Sequence, residues 1–148
     1  LEFLIFPAVG PLPVQSSVVG SPRAQPGVRE EQVLALWAEP SSDPTTPPPH
    51  STGAAVDLTL ATPQGEPLEM GGDIDAIGPI GHPNHFAAAD PASAEGRYHQ
   101  RRCLLHRAME SAGFVRHPKE WWHFSWGDQL WAWSSEAPCA HYGRSAQA

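Results

Sequence analysis

AEGRYHQRRCLLHRAMESAGFVRHPKEWWHFSWGDQLWAW, from Ala94 to Trp133, sets a helical pattern directly against an aromatic, strand-like one, and that contrast decides the fold class. Leu104, Leu105, Ala108, Met109 and Ala112 recur at helical spacing and predict a helix over Ala94–Ala112, with Gly113 placed as its C′ residue. Arg101, Arg102 and Arg107 fall on what reads as its solvated face. Beyond Pro118, WWHFSWGDQLWAW reads as two strand-like aromatic runs divided by Gly127 and Asp128, a hairpin signal in reversed order. Upstream, AAVDLTL (Ala54–Leu60) alternates and is rich in strand formers, entered through the turn residues Ser51, Thr52 and Gly53. A turn signal at Gly65 precedes a second short extended piece over Leu68–Asp75, and Ile77–Pro91 reads as loop. Helices beside short strands, without βαβ alternation, predict an α+β fold in which a small antiparallel sheet is flanked by helices.

The first third differs in kind. Ten of the chain's 17 prolines lie within the first 50 positions, which excludes a regular helical bundle there because each internal proline removes a helix hydrogen bond. One helical pattern survives, VREEQVLALWA (Val28–Ala38), with Glu30 and Glu31 in its first turn, followed by a polar, proline-rich loop over Glu39–Pro49. The 148 residues are expected to form one domain over 1–143, with a frayed polar tail over 144–148. A net charge of −7 argues against nucleic acid or an anionic membrane surface as partner, since both need clustered positive charge. Two cysteines, Cys103 and Cys139, are too few for a disulfide scaffold, and neither belongs to a CxxC pair. LEFLIFPAVG reads as the middle of a strand, as if the natural N-terminus lay further upstream. Cytoplasm is therefore the default compartment, with periplasm left open.

Eight histidines make accidental trios easy to find, so the local setting decides which matter. His50 leaves the run Pro47–Pro49, and Asp57 follows inside the strand. On one straight strand their side chains would face apart, but the turn at Ser51–Gly53 breaks that parity and lets both reach one pocket. His123 lies in the aromatic run with Glu120 three residues before it. Two imidazoles and a carboxylate suit Zn²⁺, leave a fourth position for water, and call for a non-ligand acid as proton acceptor. The plainer reading makes His50 a loop residue, Asp57 a solvent-side strand residue and His123 a hydrogen-bonded core residue. His82 and His85 form a competing HxxH pair without a third ligand, while His99, His106 and His117 are expected at the surface. The tryptophans 121, 122, 126, 131 and 133 read as core, Cys103 as a buried helix thiol, and Ser51 lacks a convincing triad.

The same residues carry a family resemblance. His50-Ser-Thr-Gly-Ala-Ala-Val-Asp57 resembles the SxHxxGxAxD metal motif of the zinc D-alanyl-D-alanine dipeptidases, the group that includes the vancomycin-resistance dipeptidase. Glu120-Trp-Trp-His123 matches their ExWH motif, and Leu68-Glu-Met-Gly-Gly-Asp-Ile-Asp75 is similar to their LxMGxxFD segment. The likeness runs from about Phe3 to Gly143 with the motifs in order. It implies one Zn²⁺ held by His50, Asp57 and His123, Glu120 as general base, and Asp75 as the group that pairs with the ammonium of a small dipeptide. The implied reaction is hydrolysis of D-Ala-D-Ala by a metal-activated water.

Two departures accompany the likeness. Pro7-Ala8-Val9-Gly10-Pro11 stands where the family has D-A-Y-R-P, so Gly10 replaces an arginine expected to stabilise the oxyanion. Pro48 stands where the metal motif begins with serine. The expectation is that zinc binding survives while turnover is slowed or lost. Rival readings are an inactive zinc-binding remnant and a D,D-carboxypeptidase acting on peptidoglycan stems, the latter opposed by Asp75 at the amino end.

Overall fold

The computed structural model describes residues 1–6 and 45–145. The expected helix at Val28–Ala38, most of the proline-rich loop, and Gly10 lie outside the described residues.

Alternating, β-branched sequence forms the central strand. β1 (Glu2–Phe6) runs antiparallel to β2 (Ala55–Ala61), and β2 also pairs antiparallel with β4 (His123–Ser125). A two-residue β3 (Val115–Arg116) closes the far edge, giving the sheet order β1-β2-β4-β3. α1 (Ala94–Ser111) packs on the sheet, and α2 (Gln129–Ser134) follows β4. This is the expected α+β arrangement, with strand and long helix within a residue or so of their predicted limits.

Period two splits β2 into two faces. Leu58 and Leu60 point into a core shared with Leu105 and Met109 of α1 and with Met70, Trp122 and Phe124. Asp57 points the other way, and the register sets it directly opposite His123 on β4 and opposite Phe6 on β1. The sheet thus presents a carboxylate and an imidazole side by side on the face away from that core.

α1 begins at Ser93, whose hydroxyl accepts the Gly96 N–H at 3.0 Å, and ends before Gly113, which adopts φ 88° as a C′ glycine should. The buried stripe differs from the expected one. Leu104 is 37% exposed, while Arg102, assigned from periodicity to the solvated face, is 1% exposed. Its guanidinium donates to the carbonyls of Met70, Ile80 and His82 at 2.8–3.0 Å and lies over the rings of Phe86 and Trp121. A planar fork with five donors can be buried when backbone carbonyls answer it, and periodicity carries no sign of those carbonyls.

Two further expectations are corrected. The second aromatic run is helical, because Asp128 acts as an N-cap whose Oδ1 accepts the Trp131 N–H at 2.8 Å. Leu68–Asp75 forms no strand: after a single bridge at Ala61–Pro67 the chain turns, with Asp75 at φ 64°. Of the tryptophans, 121 and 122 are core, whereas Trp126 is 38% and Trp133 76% exposed. Cys103 is half-buried and Cys139 exposed. No helix among the described residues is long and apolar enough to cross a membrane.

Candidate metal centre

Three elements deliver the site. Pro49–Thr52 forms a single 3-10 turn that ends at Gly53 in the left-handed region (φ 73°), and this turn swings His50 back over the start of β2. Ser51 and Thr52 lock it by donating their hydroxyls to the carbonyls of Pro48 and Pro49. β2 supplies Asp57, and β4 supplies His123 directly across the ladder. The parity problem posed by the sequence is thus solved by the turn.

His50 Nε2 lies 3.3 Å from Asp57 Oδ2, and His123 Nδ1 lies 3.1 Å from Asp57 Oδ1. One ligand atom from each of the three residues lies within 4.8 Å of the other two. The Nε2 of His123 faces the Ser125 hydroxyl at 3.4 Å, so a proton on that nitrogen leaves Nδ1 free as a donor to a cation. Asp57 Oδ1 is buried and has no aligned hydrogen-bond donor among the described residues. A buried carboxylate oxygen left open beside two imidazole nitrogens is what a divalent cation of borderline softness fits.

Charge at the site is arranged around Asp57. Burial opposes its ionisation, yet the contacts from His123 and His50 outweigh burial and hold the carboxyl well below the usual carboxylate range. Burial lowers the His50 imidazole, and Asp57 overcomes that to leave it raised. Glu120 Oε2 stands 3.7 Å from His123 Nδ1 and 3.6 Å from His117 Nδ1. Burial first, then repulsion from Asp57 and Asp75, pushes its carboxyl up to about 8. Asp75 is raised in the same way, by burial and by Asp57. Asp57, Asp75 and Glu120 therefore repel one another across the site, and Lys119 draws weakly on Glu120 in the opposite sense. Protonation relieves that repulsion in the metal-free protein, and a cation at the site would relieve it in another way.

The structure brings together His50, Asp57, His123 and Glu120, and places Asp75 within electrostatic range. His82 and His85 stay apart, both exposed. Two neighbours were missed. His117, expected at the surface, is half-buried against the His123 ring and lowered to about 4 by burial and by His123. Ser125 supports His123 from the same strand face. Its position two residues after His123 was a readable signal.

Two imidazoles, a carboxylate and a neighbouring acid on one face of an α+β sheet form a group that could hold a metal ion, as in a metallohydrolase. The family described as D-Ala-D-Ala dipeptidase matches residues 3–141. The chain is 42% identical to the D-alanyl-D-alanine dipeptidase of Synechocystis, across 97% of this chain and 69% of that protein. It is 34% identical to the Escherichia coli K12 enzyme of that name over 65% of this chain and 50% of the relative. The corresponding enzyme of Enterococcus faecalis is 37% identical over 54% of this chain and 37% of its own length. The chain belongs to the D-Ala-D-Ala dipeptidase family of metallopeptidases.

Proposed function

We propose that this protein hydrolyses D-alanyl-D-alanine, with His50 Nε2, Asp57 and His123 Nδ1 as the ligands of one Zn²⁺. The observation that carries the reading is the approach of those three donors to within 4.8 Å of one another, with a buried acid 3.7 Å from His123. Bound zinc would polarise the scissile carbonyl and lower the pKa of its water.

The remaining chemistry belongs to the chain. Glu120, a carboxyl 3.7 Å from His123 whose affinity for protons a bound cation would lower, takes a proton from the attacking water and returns it to the leaving amine. Ser125 meets His123 Nε2 and so leaves the Nδ1 lone pair for the cation, while Asp57 would bind the cation beside the two imidazoles. Asp75 pairs with the ammonium group of the dipeptide, and an acid at that end favours a free amine over a longer chain. Gly10, in place of the arginine implied by the family resemblance, removes an oxyanion donor worth roughly 10²–10³-fold in rate. Turnover is therefore slow.

The test is release of D-alanine from D-Ala-D-Ala by the zinc-loaded protein. The reading expects measurable, zinc-dependent turnover that Glu120→Gln reduces at least about 10²-fold and Gly10→Arg increases. No turnover in wild type and in Gly10→Arg would leave a zinc-binding remnant. Faster cleavage of a pentapeptide stem than of the dipeptide would make it a D,D-carboxypeptidase.

A further inference from the structure

A cavity of about 310 Å³ opens between β2 and the loop that follows it. Phe6, Leu68, Met70 and Ile74 give it apolar walls, and Thr59, Glu69, Asp73 and Trp121 are the residues with polar groups among its lining. Thr59 and Trp121 are 4% and 2% exposed, and neither Thr59 Oγ1 nor Trp121 Nε1 has a hydrogen-bond partner among the described residues. Nearly all buried polar groups in folded proteins are answered by protein, water or ligand, so two unanswered ones among the residues that line one cavity point to a guest there.

The cavity adjoins the metal centre. Thr59 lies two residues along β2 from Asp57 and so on the same face, about 7 Å away along the strand. Phe6, which walls the cavity, is the β1 residue opposite Asp57. Gly72, Asp73 and Ile74 also line it, and the next residue is Asp75. If Asp75 holds the ammonium of a substrate, the side chain of the substrate's first residue starts beside this opening.

The chemistry of the walls narrows the occupant. An indole N–H only donates, so the guest must carry an acceptor. Glu69 and Asp73 at the cavity disfavour an anion. A methyl group fills little of this volume and answers neither polar group. We infer that the cavity is a subsite for a neutral, acceptor-bearing side chain on the first residue of the dipeptide, such as a carboxamide. Its carbonyl oxygen accepts from Trp121 Nε1, and its amide nitrogen donates to Thr59 Oγ1. The inference rests on the dipeptidase reading above and extends its substrate class beyond D-Ala-D-Ala.

The experiment compares kcat/KM of the zinc-loaded protein for D-Ala-D-Ala, D-Asn-D-Ala and D-Leu-D-Ala, the last two being nearly equal in size. The expected result is a preference for D-Asn-D-Ala over D-Leu-D-Ala of at least about tenfold, the worth of one good hydrogen bond. Thr59→Val, which keeps the shape and removes the hydroxyl, and Trp121→Phe should each cut that ratio about tenfold. Because the ratio is internal to each variant, general damage to the fold does not mimic the effect. A ratio near one in wild type, or one that neither variant changes, assigns the cavity to water and overturns the inference. Cleavage of D-Ala-D-Ala alone also overturns it while the dipeptidase reading stands, and cleavage of no dipeptide overturns both.

Discussion

Glu120 is buried beside Asp57 and Asp75, and its raised pKa has a consequence for the metal-free protein. A carboxyl at about 8 when folded and 4.5 when unfolded binds more protons in the native state between those values. The contribution of Glu120 to the stability of the metal-free protein then falls as pH rises from about 4.5 to about 8, by a few kcal/mol at most. Asp57 works in the opposite sense at lower pH, its contribution vanishing as the carboxyl protonates below the ordinary 3.8. Urea denaturation in the presence of a chelator at pH 5 and pH 8 checks this. Glu120→Gln should reduce the loss, to which Asp75 and His50 also contribute and which His117 opposes, and an equal loss in both proteins would contradict the assignment. Arg102 offers a second check. Replacing it by Met strands the buried Met70 carbonyl and the partly buried carbonyls of Ile80 and His82, at a cost of about 2 kcal/mol or more in the same assay. A change within about 0.5 kcal/mol would show that those carbonyls find water instead. At this scale the candidate ligands were legible because motif spacing and side-chain chemistry agree. Arg102 and His117 were not, because burial by partners distant in sequence leaves no local trace.

At the scale of elements, caps decide what periodicity leaves ambiguous. WGDQLWAW alternates well enough for a strand, yet the Asp128 carboxylate satisfies the Trp131 N–H, and Gly127 at φ 83° turns the chain into the helix. Asp128→Ala should cost about 1–2 kcal/mol, as should other buried caps, measured by thermal or urea unfolding. Indifference to the substitution would mean that packing alone holds α2. β2 and α1 were readable because each carries a clear period and a start or stop signal. Leu68–Asp75 was misread because its apolar residues dock individually around Met70 and the cavity instead of pairing in a ladder.

The whole molecule joins three stretches of chain that meet only through the sheet. Sheet order β1-β2-β4-β3 sets Asp57 against His123, and no local pattern encodes that pairing. The sequence implied it only through the family resemblance. A metal held by residues of β2, β4 and the 3-10 turn would stabilise the native state by mass action. At zinc about a thousandfold above its dissociation constant the gain is about 4 kcal/mol, or roughly 10 °C in Tm for a chain of this size. Asp57→Ala should abolish that shift. The central claim is tested most directly by anomalous diffraction at the zinc absorption edge from crystals of the zinc-loaded protein. One strong peak is expected about 2.0–2.2 Å from His50 Nε2, an Asp57 oxygen and His123 Nδ1. A peak elsewhere, or none between those three side chains, would contradict it.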